Sequence, residues 1–195
     1  MFAPGLLAQD ADLAIGNTFM RARFLLIAAL AALAGLSLAA CGPSKEDLAA
    51  RQAAMTASKS AGAEFLAKNA KEPGVVTLPS GLQYKIVRSG PEAGPHPRPI
   101  DEVKVHYEGK RLDGFVFDSS YERGVPASFP LRGLIPGWVE AMQLMRPGDE
   151  WMLYVPADLA YGDNQAGADI PPGSTLVFKI ELIDVLQSKL RAPKG

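Results

Sequence analysis

The side chains that carry out most covalent and metal chemistry are scarce in this sequence. Its 195 residues include one cysteine, Cys41, and two histidines, His96 and His106. A zinc site needs three or four such ligands in one place, and the spacing of these three residues matches no zinc pattern. No G-x-S-x-G motif marks a serine nucleophile. We therefore expect no metal, no cofactor and no hydrolytic triad.

Cys41 lies in a setting that predicts a different chemistry. Residues 24–40 form an uncharged apolar run, FLLIAALAALAGLSLAA, which follows Arg21 and Arg23. A basic start, an apolar middle and small residues at the end are typical of a secretory signal peptide. A transmembrane anchor is the alternative, but a span needs about 20 apolar residues and this run is short and rich in alanine. The stretch LAACG at 38–42 resembles the bacterial lipobox, in which the cysteine begins the mature chain and carries lipid.

These features predict an exported, membrane-anchored protein. Cys41 is the expected lipidation site, and several acyl chains would hold the protein firmly on a membrane. Gly42 stands where an aspartate would retain a lipoprotein on the inner membrane, so we expect a periplasmic protein anchored to the outer membrane. Residues 1–40 are the predicted signal peptide. Because Asp10 and Asp12 fit its basic start poorly, we interpret Met20 as the initiator and residues 1–19 as a mis-assigned start.

The elements that follow indicate a helix and then a small antiparallel β domain. Ser44 to Asp47 has the form of a capping box, and the stretch to about Lys71 is rich in helix formers. Its apolar face is thin, so this helix could pack on the domain, pair with another copy or act as a spacer from the membrane. We favour the spacer, and a homodimer stays open. Alternating apolar residues predict strands, and helical spacing predicts one short helix, in the following order: strands at 82–86 and 103–107, a hairpin at 113–114, a helix at 137–146, and strands at 150–155 and 175–186.

Composition agrees with that layout. The 19 glycines and 16 prolines are concentrated after position 70, as in a turn-rich β domain. The 20 Lys and Arg residues balance 21 Asp and Glu residues, which argues against a nucleic-acid partner. The fold class we predict is α+β, with an antiparallel sheet and a single crossing helix.

Five sequence blocks, in order, resemble the FKBP family of peptidyl-prolyl cis/trans isomerases. They are VHYEG with DGFVFDSS (105–120), LIPGW (134–138), MRPG (145–148), LAYG (159–162) and IPP with LVFKIEL (170–182). The lead-in SGLQYK (80–85) is similar to the bacterial branch of macrophage infectivity potentiators. The resemblance implies a half-barrel sheet wrapped around one short helix. It divides the chain into a signal peptide (1–40), a lipidated N-terminus with helix and linker (41–78), an isomerase domain (79–187) and a tail (188–195).

The resemblance also implies a site between the sheet and the helix. The catalytic residues it implies are Tyr107, Phe117, Asp118 and Tyr161, and the substrate-binding residues are Phe129, Leu134, Ile135, Trp138, Ile170 and Phe178. The implied partners are proline-containing polypeptides that fold after export. Macrolides of the tacrolimus and rapamycin type are further expected ligands.

These residue types suit the reaction that the resemblance implies. Rotation about a peptide bond crosses a barrier of about 18–20 kcal/mol, because resonance gives the C–N bond double-bond character. A dry aromatic pocket removes the water that stabilises the planar amide, and no nucleophile is needed. Taken without the resemblance, Phe117, Trp138 and Phe178 could be ordinary core residues. Two other functions stay open: a binding module that uses the same pocket as a chaperone or adhesin, and a structural envelope lipoprotein.

Overall fold

The computed structural model of the chain describes residues 43–188. The predicted signal peptide, Cys41 and the last seven residues of the tail lie outside this range. The chain divides into two units, residues 1–48 and 49–195. Of the first unit, the described part is the start of helix α1, and all other elements named below belong to the second unit.

Helix α1 runs from Lys45 to Asn69. It begins with the predicted capping box, since the Asp47 amide donates to Ser44 Oγ (3.0 Å) and the Ser44 amide donates to Asp47 Oδ2 (3.1 Å). No helix within residues 43–188 is both long enough and apolar enough to cross a membrane.

The C-terminal half of α1 packs on the β domain, so the spacer interpretation is wrong for this half of the helix. Gln83 Nε2 donates to the carbonyl of Leu66 (2.9 Å), and Asn69 Nδ2 donates to Gln83 Oε1 (2.8 Å). The ring of Phe65 lies 5.9 Å from that of Tyr154. Buried polar groups must find partners, and these side chains supply them to each other.

Within residues 43–188, seven strands form one antiparallel sheet in the order β1-β2-β6-β7-β3-β4, with β5 paired to β3. The strands are β1 (Val75–Thr77), β2 (Gln83–Arg88), β3 (Glu102–Arg111), β4 (Val116–Ser119), β5 (Ala127–Pro130), β6 (Glu150–Val155) and β7 (Leu176–Leu186). The α+β class and the antiparallel sheet predicted from the sequence are confirmed. The short strands β1 and β5 were not predicted.

Strand β3 organises the side of the sheet that carries the site. One of its edges pairs with β7 along its whole length, from Glu102 opposite Leu186 to Arg111 opposite Leu176. Its other edge is shared, because β4 pairs near Gly109 and β5 pairs near Lys104. The chain between β4 and β5 must therefore leave this edge and return to it, and residues 120–126 form that excursion.

Helix α2 (Pro136–Met142) lies against the sheet and buries Trp138, Ala141 and Met142. Proline is well placed at the first position of a helix because its missing N–H has no partner there anyway. The helix is shorter than the predicted 137–146, because the Leu144 and Met145 amides bond to carbonyls three residues back and the chain tightens into turns. The inner face of the sheet contributes Val103, Val105, Leu153 and Ile180 to the core, all fully buried.

Candidate functional site

A cavity of about 230 Å³ opens between α2 and the sheet. Its lining comprises all of the residues predicted for the pocket except Ile170, together with Gly133, which was not predicted: Tyr107, Phe117, Asp118, Phe129, Gly133, Leu134, Ile135, Trp138, Tyr161 and Phe178. The residues come from β3, β4, β5, α2 and β7 and from two loops. Elements far apart in sequence therefore meet at one cavity.

Trp138 forms the aromatic floor of the cavity. Its indole meets the ring of Tyr107 at 5.4 Å and 82° and that of Phe178 at 5.3 Å and 86°. Phe129 stands edge-on at 6.3 Å. Such edge-to-face pairs are the favoured arrangement of aromatic rings. Trp138 is only 4% exposed, and its Nε1–H has no acceptor among residues 43–188. The first turn of α2 thus presents a large, rigid, apolar surface to the cavity.

Gly109 makes room for the rings on the opposite wall. The ring of Phe117 lies edge-to-face with that of Phe178, at 5.8 Å and 85°. A Cβ atom at Gly109 would lie 2.5 Å from Phe117 Cζ and 2.9 Å from Phe178 Cε1, closer than real atoms approach. Only glycine therefore allows both rings to close over β3 at this point.

A polar group forms one edge of the cavity. The Tyr107 hydroxyl donates to Asp118 Oδ2, and Arg123 Nη1 donates to Asp118 Oδ1. Arg123 Nη2 also donates to the Tyr107 hydroxyl oxygen at 3.0 Å. Arg123 was not predicted from the sequence, because it lies in the irregular excursion after β4, where spacing carries no signal. It completes the site by pairing the one carboxylate of the cavity.

These contacts set the protonation of both groups. Burial raises the pKa of the Tyr107 hydroxyl, and the neighbouring Asp118 carboxylate raises it further. Burial also acts to raise the pKa of Asp118, but the hydrogen bonds donated by Tyr107 and Arg123 outweigh it and hold that pKa below its ordinary value. At neutral pH the edge is therefore a phenol donating to a carboxylate.

His106 and Ser120 lie within hydrogen-bonding distance, yet they do not form a nucleophilic pair. His106 Nδ1 lies 2.9 Å from Ser120 Oγ, and the imidazole stacks on the ring of Tyr121. Ser120 is fully buried, and its Oγ accepts the Tyr107 amide at 2.7 Å. The hydroxyl therefore positions the backbone of β3. His106 does not line the cavity.

Tyr161 and Ile135 form the rim, and Ile170 lies apart from it. Tyr161 is 40% exposed at the cavity mouth. Ile135 is the N-cap of α2, and its carbonyl accepts the amides of Trp138 (2.9 Å) and Val139 (3.1 Å), which fixes the plane of the Ile135–Pro136 peptide. Ile170 is 6% exposed, pairs with Ala166 in an isolated bridge and packs in the core instead of lining the cavity.

The arrangement can hold an apolar ring and the polar chain attached to it. The aromatic walls exclude water from a group seated on Trp138, while the rim and the polar edge leave donors and a carboxylate for neighbouring amides. No group of three or more His, Cys, Asp or Glu side chains within residues 43–188 could bind a metal ion.

Comparison with protein families gives two matches. Residues 94–183 match the family described as FKBP-type peptidyl-prolyl cis-trans isomerase, and residues 28–86 match the domain amino-terminal to that isomerase. The first match includes every residue that lines the cavity.

Individual proteins agree with the family matches. The chain is 49% identical over 138 residues to an FKBP-type 22 kDa peptidyl-prolyl cis-trans isomerase of Escherichia coli, covering 71% of this chain and 66% of that protein. It is 51% identical over 127 residues to the outer membrane protein MIP of Legionella longbeachae, covering 65% and 54%. It thus spans between about half and two thirds of the length of these curated relatives.

A solved structure extends the likeness to the fold. The crystal structure of FkpA from Escherichia coli is 34% identical, with a TM-score of 0.69, over 92% of this chain and 84% of that one. Sequence blocks, cavity and fold agree, and the chain belongs to the family of FKBP-type peptidyl-prolyl cis-trans isomerases.

Proposed function

We propose that this protein is a peptidyl-prolyl cis-trans isomerase that accelerates rotation about X-Pro bonds in exported polypeptides as they fold. The observation that carries the proposal is the aromatic cavity centred on Trp138, with the Tyr107–Asp118 pair at its edge. Its size and apolar walls suit a proline ring. Its polar edge suits the amide that precedes the ring.

Isomerisation about X-Pro is slow because the amide must lose its resonance. Both isomers are populated, and uncatalysed exchange takes tens to hundreds of seconds. The twisted amide carries less charge on its oxygen than the planar one. A pocket that replaces water by aromatic rings therefore disfavours the planar ground state relative to the transition state. The reaction transfers no proton and makes or breaks no covalent bond.

Each lining residue has a role in this proposal. Trp138 is the floor on which the proline ring lies, and Tyr107, Phe117 and Phe178 are the surrounding walls. Phe129 and Leu134 contribute apolar surface to substrate binding, while Ile170 packs in the core and lies outside the cavity. The Tyr161 hydroxyl and the Ile135 amide hold the carbonyls of the peptide chain on either side of the reacting bond.

Asp118 acts as an electrostatic and orienting group in this mechanism. Its carboxylate is held by Tyr107 and Arg123 at the edge of the cavity, where it can face the carbon of the twisted carbonyl. Since the reaction transfers no proton, the low pKa of Asp118 matters because it keeps the group charged.

The test is isomerisation of an Ala-Leu-Pro-Phe peptide by the full chain, compared with Tyr161→Phe and Trp138→Leu. Tyr154→Phe is the matched control, since Tyr154 packs on Phe65 of α1 and does not line the cavity. We expect both cavity variants to lose activity while they stay folded, and the control to keep it. A folded wild-type chain that binds the peptide without accelerating its isomerisation would make the protein a binding module.

The same cavity is our proposed site for macrolides of the tacrolimus type. Pockets that bind drug-sized ligands are mostly apolar with a few placed polar groups, and this one has that composition. Competition between such a macrolide and the peptide, measured by titration calorimetry, tests the assignment. The Trp138→Leu variant should bind the macrolide much more weakly than wild type.

We further propose that the mature protein is lipidated on Cys41 and lies in the periplasm on the outer membrane. The stretch at 38–42 supports the anchor, and a relative from Legionella longbeachae is named an outer membrane protein. Incorporation of labelled palmitate and membrane fractionation of wild type against Cys41→Ser test both parts. An unlabelled wild type or a membrane-bound Cys41→Ser would contradict the proposal.

A further inference from the structure

The rim residue Tyr161 lies in the segment 156–175, between β6 and β7. Its two limbs are tied together: the Gly162 amide donates to the Ala157 carbonyl (2.8 Å), and the Gly173 amide donates to the Gly162 carbonyl (2.8 Å). The segment therefore carries Tyr161 as one connected unit whose position depends on what it packs against.

Helix α1 contacts this segment through one lysine, Lys59, whose acidic partners lie on both sides of Tyr161 in the sequence. Lys59 Nζ pairs with Asp163 and lies 3.9 Å from Asp158 Oδ1. The side chain of Asp158 is 86% exposed, and that of Asp163 is 60% exposed. Exposed ion pairs contribute little to global stability, so their value here is local. One ammonium group thus contacts the chain both ahead of Tyr161 and behind it.

Backbone packing reinforces the ion pair. Ser58 Oγ donates to the Gly173 carbonyl at 3.1 Å. A Cβ atom at Gly173 would lie 2.9 Å from the Met55 carbonyl oxygen, and a Cβ atom at Gly62 would collide with Thr175 Oγ1. Glycine on each side therefore lets the helix and the segment approach more closely than any other residue would allow. A shift of α1 must move the segment that carries Tyr161.

We propose that α1 positions the rim of the cavity, and that Lys59 is a positioning residue for Tyr161. The inference rests on the proposed isomerase function. It assigns to the N-terminal helix a part in substrate binding, since the helix holds the segment from which the Tyr161 hydroxyl reaches the peptide. The rings that pack on Trp138 belong to Tyr107, Phe129 and Phe178, none of which lies on α1, so loosening the helix should weaken binding and spare turnover.

The experiment compares wild type with Lys59→Ala, Lys59→Arg and Gly62→Ala in the full chain. Alanine is a better helix former than glycine, so Gly62→Ala would stabilise α1 if the helix did not pack on the segment. Because the added Cβ atom would collide with Thr175 Oγ1, the substitution disturbs α1 only when the helix is packed. Arg51→Ala is the control, because Arg51 is exposed on the same helix and forms no ion pair within residues 43–188. Amide hydrogen exchange at Gly162 and Gly173 reports the order of the segment, and kcat and KM are measured separately.

We expect Lys59→Ala and Gly62→Ala to exchange about tenfold faster at Gly162 and Gly173. We expect KM to rise about threefold or more in both, with kcat within about twofold of wild type. Lys59→Arg and Arg51→Ala should both keep the exchange rates and the KM of wild type. Unchanged exchange in Lys59→Ala and Gly62→Ala would overturn the proposal, as would faster exchange with unchanged KM or an equal response in Arg51→Ala.

Failure of the proposed function would be visible separately. If the wild-type chain does not accelerate isomerisation, the isomerase function falls, and the Kd of the Ala-Leu-Pro-Phe peptide replaces KM as the binding readout. A higher Kd together with faster exchange in Lys59→Ala would still support positioning of the rim by α1. An unchanged Kd would overturn it.

Discussion

The phenolic hydroxyl of Tyr107 donates a hydrogen bond to the carboxylate of Asp118 at the edge of the aromatic cavity. The ring of Tyr107 packs edge-on against Trp138, while its hydroxyl contacts Asp118 and Arg123. One side chain therefore joins the apolar floor to the polar edge. The packing of the Tyr107 ring on β3 against Trp138 on α2 therefore positions the hydroxyl at the polar edge.

This relationship makes Tyr107→Phe an informative substitution. The ring and its packing are kept, while the donor to Asp118 is lost. We expect kcat/KM to fall roughly tenfold, which corresponds to about 1.4 kcal/mol of transition-state stabilisation. The free energy of unfolding should fall by about 1 kcal/mol, because the lost hydrogen bond is partly exposed to water. Peptide isomerisation and urea unfolding measure the two effects. Unchanged kcat/KM in a folded variant would show that the polar edge plays no part.

Arg123 tests whether the charge of Asp118 depends on its partner. In Arg123→Ala the carboxylate loses one donor and the neighbouring positive charge, so the pKa of Asp118 should rise toward its ordinary value. We expect kcat/KM to fall about threefold to tenfold in this variant. Arg123→Lys should be intermediate, since an ammonium keeps the charge and lacks the planar fork. NMR titration of the Asp118 carboxyl provides the measurement. An identical titration in wild type and Arg123→Ala would refute the assigned role.

Gly109 tests the close approach of the two phenylalanine rings. In Gly109→Ala the added Cβ would lie 2.5 Å from Phe117 Cζ, so the ring must turn or the strand must shift. Such overpacking costs about 1–3 kcal/mol of stability. We expect weaker substrate binding as well, because Phe117 is a wall of the cavity. Thermal unfolding and KM should change together, and a variant with wild-type values for both would contradict the close packing. Gly133→Ala is the matched control for thermal unfolding alone, since nothing lies within 4 Å of a Cβ atom there but Gly133 itself lines the cavity.

The buried, hydrogen-bonded carboxylate of Asp101 should make the stability of the fold sensitive to acid. Asp101 is 1% exposed, and its carboxylate accepts the Arg98 amide (2.9 Å), Arg98 Nη2 (2.8 Å) and the Ser188 amide (2.9 Å). Hydrogen bonds from Arg98 hold the pKa of Asp101 well below its usual range, against the effect of burial. The carboxylate thus stabilises the fold above its unfolded pKa of about 3.9, and this stabilisation is lost as pH falls through the folded pKa.

We therefore expect Asp101→Asn to unfold at lower urea concentration than wild type at pH 7. Its stability should also decline less steeply between about pH 5 and pH 2, because it lacks the group that titrates. Urea unfolding across this range supplies both numbers. Parallel pH profiles for the two proteins would show that another carboxylate governs acid unfolding.

Strong periodicity and familiar sequence blocks allowed the sheet, α2 and most of the cavity to be predicted. Strand β6 has the predicted bounds, Glu150 to Val155, because its apolar residues alternate regularly. Strand β5 was missed, since its four residues end in Pro130 and are ordered by pairing with distant β3. Ile170 was expected at the cavity and packs in the core, where the bridge to Ala166 holds it.

The packing of α1 could not be predicted from an apolar pattern. Apart from the ring contact of Phe65, its contacts with the domain use residue types that a search for an apolar stripe passes over, namely Ser58, Lys59, Gly62 and Asn69. Close backbone approach and paired charges hold this helix in place. Neither leaves a periodic signal in a single sequence. Arg123 was missed for a related reason, because its partner Asp118 is reached only when the chain after β4 folds back.

The most direct test of the proposed function is NMR exchange spectroscopy on an Ala-Leu-Pro-Phe peptide at equilibrium with a small amount of the full chain. Exchange cross-peaks between the cis and trans forms measure catalysis without a coupled protease. The cavity mechanism predicts exchange far faster than the uncatalysed tens to hundreds of seconds, and loss of most of that acceleration in Trp138→Leu. Cross-peaks absent with a folded wild type, or equal in the two proteins, would contradict it.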